Sequence, residues 1–211
     1  MEIDISMNKE PYIKEITKDK IINITGESGS GKTYYTKEYI DNDEYIVIDT
    51  DEVFSKNKKA TGINSEVSNY FINKYKDKIP SLFDNFDKIY LDLLEYFQDS
   101  EKTLVIDSAQ FRNMVDLKNL KGTIIILRTS IDECYKRCIN RFKENNKNAT
   151  KDDIEIYSNK KKGIYEWYKY LNEFLIAVDK LWIKINKKYL SKEQLKLFDQ
   201  APIDFAFDDP F

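Results

Sequence analysis

Ile21-Ile22-Asn23-Ile24-Thr25-Gly26-Glu27-Ser28-Gly29-Ser30-Gly31-Lys32-Thr33 is the stretch whose reading decides the rest of the chain. Its first five residues form a short run dominated by β-branched side chains and ended by a glycine, the pattern of a strand buried in a parallel sheet. Three of the six glycines then fall between positions 26 and 31. Glycines let the backbone curl into a concave ring whose N–H groups face an anion. From Lys32 to Ile40 the sequence predicts a helix, which adds the positive end of its dipole to that ring.

Outward from this turn, the pattern repeats. EYIVI at 44–48 predicts a second buried strand closed by Asp49-Thr50-Asp51, and SKNKKATGINS at 55–65 is a loop by composition. Residues 66–79 predict a helix stopped by Pro80. Leu82, Phe83, Phe86, Ile89, Tyr90, Leu93, Leu94 and Phe97 then follow helical spacing and predict an amphipathic helix. TLVID at 103–107 and TIIIL at 123–127 are two further strands. Ile131, Tyr135, Cys138 and Phe142 mark another helix, ENNKNATKDD at 144–153 is a polar break, and Tyr157, Ile164, Trp167, Leu171, Phe174 and Val178 carry a helix over 154–179. Apolar strands alternating with helices imply an α/β fold of three layers around a central parallel sheet.

At 211 residues the chain is long enough for one domain that buries roughly 70% of its unfolded surface. Residues 1–200 are expected to form it, with APIDFAFDDPF at 201–211 as an acidic and aromatic tail. The absence of histidine excludes Ser-His-Asp and Cys-His nucleophiles, histidine-held zinc and imidazole acid–base catalysis. Cys134 and Cys138, four apart, share a helical face rather than a disulfide framework, which points to a reduced intracellular setting. No apolar window is long enough to span a bilayer and the first residues lack a signal-peptide pattern, so the expectation is a cytoplasmic protein without membrane contact. A net charge of −3 argues against a dominant nonspecific grip on nucleic acid, while leaving room for a local basic groove. Arg112, Arg128, Arg137 and Arg141 are the only arginines among 34 basic residues, so two-pronged phosphate recognition must come from them.

Gly26 to Thr33 fits G-x-x-x-x-G-K-[ST] between a predicted strand and a predicted helix. In that pattern Gly26, Glu27, Ser28, Gly29, Ser30 and Gly31 wrap phosphates, Lys32 reaches the β- and γ-phosphates, and the Thr33 hydroxyl ligates magnesium. A serine-hydrolase elbow, G-x-S-x-G, fails because position 30 is Ser.

Over roughly residues 20–180 the chain resembles the P-loop small-molecule kinases, which include nucleoside, nucleotide, shikimate, adenylylsulfate and zeta-type toxin kinases. Ile46-Val47-Ile48-Asp49-Thr50-Asp51 is similar to the second-strand D-x-D of the shikimate, adenylylsulfate and zeta-type enzymes, where an aspartate approaches the acceptor hydroxyl. Leu104-Val105-Ile106-Asp107 is similar to the acidic strand end that helps hold magnesium through water. Arg137 and Arg141 resemble the lid-helix R-x-x-x-R pair, with one guanidinium near the base or phosphates of ATP and the other on the transferring phosphoryl group. The resemblance implies a P-loop fold with a helical lid around 137–153 and an acceptor region around 55–99. It also implies Mg²⁺ as cofactor and ATP as donor. The strand end Ile106-Asp107-Ser108-Ala109 differs from the E-R-S motif of deoxynucleoside kinases.

Each role has a plainer counterpart. Asp51 is the expected general base, with Asp49 the alternative and a helix N-cap the structural reading of either. Asp107 could equally close a strand, Arg112 could contact the acceptor or sit on the surface, and the 137/141 pair could be a solvated face. The expected activity is Mg-ATP-dependent phosphoryl transfer to a small molecule, a nucleoside or nucleotide foremost. The alternatives are a kinase of nucleic-acid ends or nucleotide-sugars, and a nucleotide-dependent switch; no N-K-x-D motif favours GTP. The tail resembles the acidic, Phe-terminated tip of bacterial single-stranded-DNA-binding proteins, implying a protein partner, though it lacks an apolar residue before Pro210.

Overall fold

The computed structural model describes residues 9–54, 60–76, 81–82, 84–148, 150–151, 153–154, 160–187 and 191. Residues 55–59 of the expected loop, Phe83, Tyr157 and the tail at 201–211 lie outside the described residues. In chain order the elements are β1 (Lys9–Glu15), β2 (Ile21–Thr25), α1 (Lys32–Tyr35), α2 (Lys37–Ile40), β3 (Tyr45–Asp49) and α3 (Thr50–Val53). They continue with α4 (Gly62–Tyr75), α5 (Phe86–Tyr96), β4 (Thr103–Asp107), β5 (Thr123–Arg128), α6 (Ile131–Asn145) and α7 (Lys160–Asn186). Two short 3-10 turns, Phe111–Asn113 and Leu117–Asn119, link β4 to β5.

The five strands form one mixed sheet in the order β1-β5-β2-β4-β3. β2 lies parallel between β4 and β5, and β3 extends the parallel set beside β4. This places the carboxyl ends of β2, β3 and β4 side by side, with Asp49 opposite Asp107 in register. Ligands of open α/β sheets bind at such ends.

Alternate strand residues part into two clusters, as the two-residue repeat requires. Ile48, Leu104, Ile106, Ile124 and Ile126 pack with Phe71 of α4, Phe86 and Leu93 of α5, Cys134 and Cys138 of α6, and Phe174 and Val178 of α7. On the opposite face Ile24, Val105, Ile125 and Leu127 pack with Tyr35 and Tyr39. The sheet is therefore flanked by helices on both faces, most heavily on the first. Asn23, a polar residue inside β2, is buried but donates its amide to Lys121 O at 2.7 Å. Among the described residues no helix is long and apolar enough to cross a membrane.

Sequence reasoning needs correction at four places. The sheet is not wholly parallel, because β1 pairs antiparallel with β5. Its sequence, KEPYIKE, sets a charged pair at each end of Pro11-Tyr12-Ile13, and both the charges and the proline suit an edge strand. The helix expected over Lys32 to Ile40 is two short turns meeting at Thr36. There Tyr39 N–H bonds back three residues to Thr36 O, and the buried Thr36 hydroxyl donates to Thr33 O. The helix expected from 66 starts at Gly62, inside the stretch read as loop, because Glu52 receives both polar groups of Thr61. Finally, the helix expected from Leu82 begins at Phe86.

Candidate functional site

A cavity of about 290 Å³ opens at the carboxyl ends of the parallel strands. Its lining brings together Glu27, Ser28, Gly29, Gly31, Lys32 and Thr33 of the glycine-rich turn, Asp49 and Asp51, Asp107, and Arg137 with Arg141. Gly26 and Ser30 are buried behind that turn, and Arg112 lies outside the lining on the turn Phe111–Asn113.

The turn folds on itself through Ser30 N–H to Glu27 O at 3.0 Å, while the Glu27 carboxylate accepts from Ser28 N–H at 2.7 Å. The amides of Gly29, Gly31, Lys32 and Thr33 meet no backbone carbonyl among the described residues. Four N–H groups on a cavity wall are the donor set an anion requires. The Lys32 ammonium, for its part, donates to Gly26 O at 2.8 Å.

The turn rests against α6. Thr129 Oγ1 donates to Ser30 O at 2.7 Å, and a Cβ on Gly29 would lie 2.5 Å from Cys134 O. Gly29 also has φ +84°, so glycine is required there on both counts. The two cysteines are free and buried in α6, and with them facing the core, the same helix presents Arg137 and Arg141 to the cavity. Arg137 Nε donates to Glu133 Oε1 at 2.7 Å and its Nη1 to Gly29 O at 3.2 Å. α6 runs unbroken from Ile131 to Asn145, so the first residues of the expected lid are the continuation of this helix.

The aspartates differ in their work. Asp49 caps α3, its Oδ1 accepting from Asp51 N–H at 2.8 Å and Glu52 N–H at 3.1 Å. Asp51, one residue into the turn, is exposed to the cavity and its carboxylate has no hydrogen-bond or ion-pair partner among the described residues. Asp107 is buried at the end of β4, where its carbonyl accepts from the Thr50 hydroxyl at 3.1 Å. Among the described residues no three or more Cys, Asp and Glu side chains gather to hold a metal ion. Thr33 and Asp107 supply hard oxygens to the same cavity, a sparse set that suits a cation keeping most of its waters.

Of the remaining arginines, Arg128 is committed to Glu10 O at 2.6 and 2.9 Å. Three residues that shape the site were missed in the sequence: Glu133, Glu52 and Asn64. Glu133 stands four before Arg137, a spacing that signals an ion pair on a helix. Glu52 and Asn64 carry no such local signal, since they meet only through the fold. No protein-family model, curated protein or solved structure matches this chain.

Proposed function

We propose that the chain is a P-loop kinase that transfers the γ-phosphoryl group of Mg-ATP to a hydroxyl of a small molecule, a nucleoside or nucleotide foremost. One observation carries this: a single cavity unites Lys32, two arginines, four turn amides and an aspartate carboxylate, the amides and the carboxylate having no hydrogen-bond partner among the described residues. The strand order supports it, with the turn following β2, the middle strand of the five-stranded sheet.

In this assignment the amides of Gly29, Gly31, Lys32 and Thr33 hold the donor's phosphates. Lys32 leaves Gly26 O for the β- and γ-oxygens, a short exchange of one oxygen partner for a charged one. Arg137 and Arg141 approach from the α6 side, where planar guanidinium groups can follow charge as it redistributes over the transferring group. Asp51 accepts the acceptor's hydroxyl proton as the new O–P bond forms and the bond between Pγ and the bridging oxygen breaks, releasing ADP. Thr33 and Asp107 are the residues that would hold Mg²⁺, Asp107 through water. Magnesium would supply charge neutralisation of the phosphates.

The test is a screen of nucleosides, nucleotides and sugars with labelled ATP and Mg²⁺, run on wild type and Lys32→Ala. Labelled product from the wild type and none from a well-folded Lys32→Ala is expected; equal transfer by both would overturn the assignment. Phosphate release raised only by a protein or DNA partner would instead indicate a switch.

A further inference from the structure

The turn that carries Asp51 is fastened by bonds the transfer chemistry does not itself use. Asp49 N–H donates to Asn64 Oδ1 at 3.1 Å, Asn64 Nδ2 donates to Glu52 Oε2 at 3.1 Å, and Glu52 N–H donates to Asp49 Oδ1 at 3.1 Å. These three bonds close a ring from the end of β3 through α3 into the first turn of α4 and back. The other oxygen of Glu52 takes Thr61 N–H at 2.7 Å and the Thr61 hydroxyl at 3.0 Å. Ser68 adds a bond from its hydroxyl to Val53 O at 2.9 Å.

We propose, resting on the kinase assignment of the cavity, that Glu52 and Asn64 are positioning residues that fix the Asp51 carboxylate for proton transfer. α3 is four residues long, far too short to hold its own shape, so its direction is set by what its ends are tied to. Neither Glu52 nor Asn64 lines the cavity, and so neither touches the reacting atoms. They act through the backbone of Asp49 and Glu52, on either side of the residue that does.

The ring has a direction. Asp49 N–H requires an oxygen from residue 64, and the Glu52 carboxylate requires a donor from it, which dictates how the Asn64 amide lies. Glu52→Gln alone sets an NH₂ against the NH₂ of Asn64, or, turned over, against Thr61 N–H. Asn64→Asp alone sets two carboxylates face to face. Together, Glu52→Gln and Asn64→Asp restore every bond with the polarity of one link reversed: the new amide donates to the new carboxylate. Its carbonyl still receives Thr61, and the carboxylate's second oxygen receives Asp49 N–H. Net charge is unchanged.

The experiment uses the full chain with Mg²⁺, a fluorescent ATP analogue for binding, and labelled ATP with water as the acceptor for turnover. Each single variant should lose about 10²-fold in kcat, the scale of a small misplacement at a reacting group, while KM for ATP stays near wild type. The double variant should return to within about twofold of wild type. Thr61→Val, which removes one donor and leaves the ring closed, should also stay within about twofold. Should a single variant not fold, a folded double variant with wild-type kcat still establishes the reversed link. A double variant no better than the singles, singles with wild-type kcat, or a Thr61→Val as slow as Glu52→Gln would each overturn the ring's role. A wild type that neither binds the analogue nor turns over ATP removes the kinase assignment, and the positioning role falls with it; that outcome is distinct from an active wild type with indifferent variants.

Discussion

Gly29→Ala should be among the costliest single-methyl additions in the molecule. Its φ of +84° lies in the left-handed region, where an alanine costs about 1–2 kcal/mol. The new Cβ would also stand 2.5 Å from Cys134 O and 3.1 Å from Cys134 C, both backbone atoms of α6 that no rotamer change can clear. Either the turn or the helix must move, and such overpacking costs about another 1–3 kcal/mol, for a total of about 2–5 kcal/mol. Gly62→Ala is the matched control: φ is +49° and nothing lies within 4 Å of the added atom, so only the conformational part, about 1–2 kcal/mol, applies. Urea unfolding of both variants gives the difference directly, and binding of a fluorescent ATP analogue should weaken in the first alone. Equal destabilisation of the two, or unaltered nucleotide binding by Gly29→Ala, would refute the claim that the turn is seated on α6.

Asp49→Ala should lower stability by about 0.5–2 kcal/mol through loss of the α3 cap, read by thermal or urea unfolding. Asp51→Asn should leave stability unchanged and reduce transfer by about 10²–10⁴-fold; the opposite pattern would exchange the two roles. Arg137→Lys should lower kcat by about 10²-fold, because an ammonium cannot serve Glu133 and Gly29 O with the planar fork that then turns to phosphate. Burial, then the bond donated to Asp92, raises the Tyr75 phenol to about 12. A folded value above the unfolded one means stability that is complete below pH about 10 and is lost as pH rises toward about 12. Tyr75→Phe should therefore flatten the alkaline end of the stability profile measured by urea unfolding, and an unchanged slope there would contradict the shift.

The central strands were legible because short apolar, largely β-branched runs dominate them: 103–107 matches β4 at both ends, and 21–25 matches β2. The candidate residues of the turn were singled out by motif spacing, Arg137 and Arg141 by their spacing and the scarcity of arginine, and Asp49, Asp51 and Asp107 by resemblance; all line one cavity apart from the buried Gly26 and Ser30. β1 escaped notice because an edge strand with one wet face and a proline has no continuous apolar run. The start of α4 was hidden for another reason. Thr61, Gly62 and Asn64 read as loop by composition, and only Glu52, distant in sequence and close in space, satisfies the polar groups that helix needs. The sequence already favoured Asp51 over Asp49, but the cap that occupies Asp49 is a matter of geometry that only the fold displays.

The antiparallel edge strand has a consequence for the order in which the chain can assemble. Glu10 receives the Arg128 guanidinium from 118 positions away, and the Tyr12 hydroxyl donates to Asp179 across 167 positions, where Lys14 also meets that carboxylate at 2.9 Å. During synthesis β1 leaves the ribosome before every partner it pairs with in the final sheet. Until β5 is made it has no ladder to join, and until α7 is made Tyr12 lacks its acceptor and Lys14 its counter-charge. The first described strand is thus a late arrival in folding, and the free rim of β5 waits for it, open to intruding strands from other chains.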